Sequence, residues 1–205
     1  MIFRVFAKNE LENLYDILAV NHVVGPREKG TDKNGNTLFD FDFIYDFKEL
    51  CLDFPATIHS LKRFVLPPTE NLCTFTLQHD RWRKNIDLNA YKPIVYFGLH
   101  ACDINALNKL DKVLSGNVYP DPYYTAKRKN MFIIGVHCTP QPFCFCRSMG
   151  TDSALHGFDL FLTDLGDDYF AEILSARAFE CMKALQGREP KKNDHQRLLE
   201  VHQEK

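Results

Sequence analysis

Apolar and polar positions along this chain switch between a helical period and a strand period, and the switches mark out its elements. Between Lys8 and Ala19, Leu11, Leu14, Tyr15 and Leu18 recur at helical spacing, with Asn9 placed to cap the helix. Val23-Val24-Gly25-Pro26 then opens a turn-rich stretch in which Gly30 and Asn34-Gly35-Asn36 have the composition of a hairpin turn. From Leu38 to Phe47 aromatic and acidic residues alternate at first, as in a strand with one wet face. The acidic neighbours argue against an aromatic stacking surface there. Pro67-Pro68 excludes helix, so residues 66–77 run extended into another strand.

The centre has α/β character. Pro93 to His100 is a short apolar run rich in β-formers, as expected of a strand buried on both faces. Asp103 is placed to cap a following helix in which Ile104, Leu107, Leu110 and Leu114 recur, ending before Gly116. Residues 121–129 suggest a short helix or turn, and Met131 to His137 is a second buried strand. Strand, helix, strand is a βαβ unit, so the two strands are expected to be parallel with a right-handed crossover. Residues 158–164 and 169–174 pattern as a hairpin across Gly166-Asp167-Asp168, and helical character resumes over 176–186. The expected fold is therefore α/β: a small mixed sheet with a central parallel βαβ unit, flanking helices and a β-hairpin. One domain is expected over 1–190, with a polar tail at 191–205 that frays or forms a surface helix.

Composition narrows the function. The chain has 205 residues, and its 25 Lys+Arg against 27 Asp+Glu give a net charge of −2. That balance gives no field for gripping phosphate backbones, which argues against nucleic acid. No apolar run reaches the roughly 18 residues of a membrane span, and Met1-Ile2-Phe3-Arg4 does not begin a signal peptide. A cytoplasmic protein without membrane insertion is expected. Neither G-x-G-x-x-G nor G-x-x-x-x-G-K-S/T occurs, so no dinucleotide or P-loop site is expected.

Seven cysteines are the informative surplus. An odd number in a cytosolic chain points to metal or redox use rather than a disulfide framework. Cys51, Cys73 and Cys181 stand singly and suit small buried hydrophobes. The other four converge. Tyr96 to Cys102 and Phe132 to Cys138 each run from an apolar strand through His into Cys, and parallel strands end at one edge of a sheet. That edge is where open α/β sheets place ligands. Cys144 and Cys146 follow Cys138 on a loop with Pro140 and Pro142, long enough to fold back. Four thiolates suit an iron–sulfur cluster or structural zinc. The spacing Cys-x5-Cys-x-Cys is neither a zinc ribbon nor a bacterial ferredoxin run. His100 and His137 suit supporting or packing roles behind a cluster, or could replace a sulfur on zinc. Asp103 suits a helix cap, with an oxygen ligand as its rival role. A thiol enzyme with Cys144 or Cys146 as nucleophile beside His137 is a further alternative, although Ser148-Met149 gives no oxyanion-hole signature. Tyr123, Tyr124 and Arg128 could line a partner or flavin groove, or form a solvated helix face around a buried tyrosine.

At these residues the chain resembles the N-terminal domain of the iron–sulfur beta subunits of cytoplasmic hydrogenases (sulfhydrogenases), and is similar to the electron-transfer subunit of anaerobic sulfite reductase. The matching stretches are Phe97 to Asp103, Leu107 to Asp111, Asp121 to Tyr124, Ile134 to Cys138, Cys144-Phe145-Cys146, and Gly157 to Leu160. Arg63 to Pro68 also fits, and Cys-Phe-Cys after the second strand is the most specific element. The resemblance implies an electron-transfer subunit working with a flavin-containing diaphorase subunit, a catalytic subunit and a ferredoxin-like domain or protein. On it, Cys102, Cys138, Cys144 and Cys146 are expected to hold one 4Fe–4S cluster, with zinc as the alternative. Backbone N–H groups near Gly98, Gly135 and the start of the 103–114 helix are expected to tune it through hydrogen bonds to sulfur. Those families continue into a ferredoxin-like domain, whereas this sequence stops at Lys205. It is therefore expected to be a fragment, a split gene product or a variant retaining only the extra site.

Overall fold

The computed structural model describes residues 1–203; residues 204 and 205 of the polar tail lie outside the described part. In chain order the elements are β1 (Ile2–Ala7), α1 (Glu10–Leu18), β2 (His22–Thr31), β3 (Thr37–Ile44), α2 (Lys62–Val65), β4 (Thr74–Gln78) and β5 (Arg81–Asn85). They continue with β6 (Ile94–Leu99), α3 (Ala101–Leu114), α4 (Pro122–Lys129), β7 (Met131–Val136), β8 (Leu160–Asp164), β9 (Asp168–Ile173), α5 (Ala176–Lys183) and α6 (Lys192–Gln203). Among the described residues no helix is long and apolar enough to cross a membrane.

Seven strands form one mixed sheet in the order β1-β9-β8-β7-β6-β2-β3. The expected parallel pair is its centre: β6 and β7 pair from Ile94↔Met131 to Phe97↔Ile134, with α3 in the crossover. β2 and β8 extend the parallel part on either side, and β3, β9 and β1 close it with antiparallel pairs. All of β7 is buried, because helices cover both faces of the sheet. On one face Val95, Phe97, Ile134 and Val136 pack with α1 and α5 through Leu14 and Ala178. On the other, Tyr96, Leu99 and Ile133 pack with α3 and α4 through Ile104, Leu107 and Tyr124. Each such side chain contributes about 1.5–3 kcal/mol by leaving water, so the edge where β6 and β7 end is held by the strongest part of the core.

Several local expectations are corrected. The stretch from His22 is a ten-residue strand, and only Asp32 to Asn36 forms its turn to β3. Asn9 precedes α1 without a side-chain cap. Asp103 does not cap α3, which already begins at Ala101 with His100 in the extended capping position; Asp103 lies in the first turn, where its charge faces the positive helix end. Asp40, which alternation assigns to a wet face, is buried against His59 and Arg63. Residues 192–203 form α6, pinned by buried Asp194, which accepts from both Arg188 nitrogens at 2.5 and 2.9 Å. β4 and β5 form a separate, fully exposed two-stranded ribbon.

Candidate metal centre

The site is built from two strand ends and one loop. Gly98 has φ +86, and the β6–β7 register slips between Phe97 and Leu99. This bulge re-aims the strand end before the chain turns into α3, a common use of bulges beside functional sites. His100, Ala101 and Cys102 follow, with Cys102 in the first turn of α3. On the neighbouring strand the ladder continues to His137, whose N–H donates to the Leu162 carbonyl at 2.8 Å, and Cys138 comes next.

The loop after Cys138 returns because it is tied at several points. The Cys144 N–H donates to the Gln141 carbonyl at 2.9 Å, the Met149 N–H to Phe145 at 3.1 Å, and the Thr151 N–H to Cys146 at 2.8 Å. α3 then clamps its far limb: Asn105 Nδ2 donates to the carbonyls of Ala101 at 3.0 Å and Ser153 at 2.7 Å, and Asn108 Nδ2 to His156 at 3.1 Å. Sequence reasoning missed these asparagines. Their signal was amide side chains spaced i, i+3 on an otherwise amphipathic helix.

All four expected cysteines line one cavity of about 180 Å³, together with Arg147 and Asp152. Cys144 is exposed, and Cys102, Cys138 and Cys146 are half-buried. Burial pushes the Cys102 thiol strongly up, reinforced by Asp103 and by the Cys146 and Cys138 thiols, with a further contribution from a hydrogen bond to Cys146. The helix N-terminus favours a thiolate there, but burial and neighbouring acids prevail. Asp103 is itself pushed up to about 6 by burial, opposed by a backbone hydrogen bond at His100. Anionic donors crowded around a void, each opposing ionisation of the next, are stabilised by positive charge placed among them. The donor set therefore fits a thiolate-bound metal group. A mixed set lies close by: one ligand atom each from His100, Cys102 and Asp103 lie within 4.8 Å of one another. The Gln141 N–H approaches Cys144 Sγ at 3.4 Å.

The other residues singled out by sequence separate from this site. His100 is buried and stacks on Phe54, rings 4.1 Å apart and tilted by 12°. His137 stacks on His202 at 5.2 Å and lines a second cavity that includes Cys138 but, among the described residues, neither Cys144 nor Cys146. The imidazole and those two thiols thus stand in different cavities, against the arrangement a thiol nucleophile needs. Cys51, Cys73 and Cys181 are half-buried and line no part of the four-cysteine cavity. Tyr124 is buried and donates to Asp111 at 2.8 Å, Arg128 pairs with the same carboxylate at 3.1 Å, and Tyr123 donates to the Leu72 carbonyl at 2.5 Å. These contacts hold α4 in place, in keeping with the structural role.

Over 145 residues, 71% of this chain, the sequence is 38% identical to the sulfhydrogenase 2 subunit beta of Pyrococcus furiosus, a match spanning 42% of that relative's length. This agrees with the resemblance to hydrogenase beta subunits drawn from the strand ends and the Cys-Phe-Cys loop. No protein-family model matches the chain, and no solved structure does.

Proposed function

This chain is a relative of the hydrogenase beta subunits, and on that relationship we propose that it serves electron transfer within a multi-subunit oxidoreductase. In this reading Cys102, Cys138, Cys144 and Cys146 hold one 4Fe–4S cluster. The observation that carries it is the convergence of four thiols, from a helix start, a strand end and a loop, on one cavity. Cysteine is the donor that iron–sulfur chemistry uses, and a cluster held there supplies one-electron transfer.

The chain's own residues set the conditions. The Gln141 N–H facing Cys144 Sγ withdraws charge from that sulfur, and hydrogen bonds to cluster sulfurs raise the potential. Cys102 is shielded by the first turn of α3, whereas Cys144 stays open to solvent. Phe143, Phe145 and Met149 stand exposed around Cys144. Exposed apolar groups beside such a site suit docking of an electron partner. The partners proposed are a flavin-containing diaphorase subunit, a catalytic subunit, and a ferredoxin-like domain or protein.

One observation favours a second reading. The His100, Cys102 and Asp103 donors are a mixed nitrogen, sulfur and oxygen set of the kind zinc accepts, which would make the site a redox-silent scaffold. Analysis of anaerobically purified protein for iron, acid-labile sulfide and zinc, with visible spectra before and after dithionite, separates the two. The cluster predicts iron and sulfide with a broad band that bleaches on reduction. Stoichiometric zinc without colour is the result expected of the scaffold and contradicts the cluster.

A further inference from the structure

A second cavity of about 480 Å³ opens at the same sheet edge. His100 follows β6, His137 and Cys138 follow β7, and Asp164 ends β8, so three adjacent parallel strands floor it. Leu52 to Pro55 wall one side, and Val201 of α6 and Tyr169 of β9 also line it. The carboxyl ends of parallel strands are where open α/β sheets bind ligands, and the volume falls in the range of small-molecule sites, about 300–1,000 Å³.

We propose that this cavity binds a planar, phosphate-free nitrogen heterocycle carrying positive charge. The proposal rests on the cavity's own lining and is independent of what the four cysteines hold. Its walls are largely rings: the stacked Phe54–His100 pair, His137 backed by His202, and Tyr169. Flat aromatic solutes pack against such faces, and cations are drawn to them. Its charged lining is acidic. Asp53 and Asp164 face it, and among the described residues no Lys or Arg lines it. Lys8 pairs with Asp164 from outside at 2.6 Å, which leaves Asp53 as the carboxylate that sets the sign. The Tyr169 phenol senses both acids: burial first, then Asp164 and Asp53, push it up to about 12. Phosphate would meet repulsion here, whereas ring N–H and amino groups find acceptors in Asp53 and in the Gln141 side chain. Cys138 and Pro140 line both cavities. A heterocycle bound here therefore lies one wall from the thiol cluster, a position suited to a small electron carrier.

The test is a calorimetric titration of the full chain with proflavine, a flat cationic three-ring heterocycle. Anthraquinone-2-sulfonate, similar in size but anionic, is titrated in parallel. The expected result is saturable one-site binding of proflavine and at least about tenfold weaker binding of the sulfonate, as one nearby charge implies. Exposed Asp53 carries no fold-determining contact, so Asp53→Lys is expected to fold and to reverse the order. Glu12→Lys, which makes the same charge change on remote α1, is expected to leave both affinities unchanged. Absence of binding, equal affinity for the two dyes, or equal effects of the two substitutions would overturn the proposal. The titration needs no bound metal, so its failure leaves the four-cysteine reading intact.

Discussion

Two glycines decide whether the strand ends reach the site. At Gly135 an added Cβ would lie 2.3 Å from the Phe161 ring, so β7 can pass beneath β8's aromatic only without a side chain. At Gly98 the left-handed φ of +86 coincides with close approach to Leu52 and Pro26, at 2.9 and 3.0 Å from an added Cβ. Gly98→Ala combines backbone strain with overpacking and is expected to cost about 2–3 kcal/mol in urea unfolding. An unchanged midpoint would show that the bulge carries no strain. In the sequence both glycines suggest backbone donors to a cluster; packing and bulge geometry are their visible work. Asp40 departs from its pattern for a related reason. Alternation assigns an acid to solvent, but Arg63 and His59 come from a distant segment to pair with it, and burial becomes tolerable.

Among the elements, the central unit is legible because β6 and β7, buried on both faces, write continuous apolar runs, and α3 writes a clear helical stripe. β2 is not. Gly25 and Pro26 look like a turn, yet Gly25 is glycine because an added Cβ would meet Leu50 at 2.5 Å, and β2 pairs with β6 only from His22 to Val24. The four cysteines are legible from strand-end spacing, but the asparagines that clamp their loop are not, since their partners are backbone carbonyls more than forty positions away. Asn105→Ala frees the Ser153 carbonyl and is expected to cost about 1–2 kcal/mol. Faster loss of bound metal to a chelator should accompany it, and retention at the wild-type rate would show that the clamp does not serve the site. α6 depends on a different contact. Arg188 holds the Asp194 carboxyl well below the usual range, through its hydrogen bonds first. A depressed carboxylate stabilises the fold above its unfolded pKa, about 4, and that stability drains away as pH falls through the lower folded value. Thermal unfolding between neutral pH and pH 3 should therefore show a steeper acid loss in the parent chain than in Asp194→Asn. Parallel curves would mean that the pair does not anchor the helix.

The whole molecule places two cavities side by side on one sheet edge and leaves apolar groups exposed in two regions. One is the Cys144 loop, with Phe143, Phe145 and Met149; the other is the β4–β5 ribbon, with Phe75, Leu77 and Trp82 on one face. The similarity to a sulfhydrogenase beta subunit covers 42% of that protein, so the decisive question is what this chain holds by itself. Iron and sulfide counted in seven single Cys→Ala variants, reconstituted anaerobically beside the parent chain, answer it. Ligation by four cysteines predicts about four iron and four sulfide per chain in the parent, with the same content after changes at Cys51, Cys73 or Cys181. It also predicts loss of the intact cluster on replacing Cys102, Cys138, Cys144 or Cys146. A full iron complement after replacing any of those four, or its loss on replacing one of the other three, would contradict the ligand set.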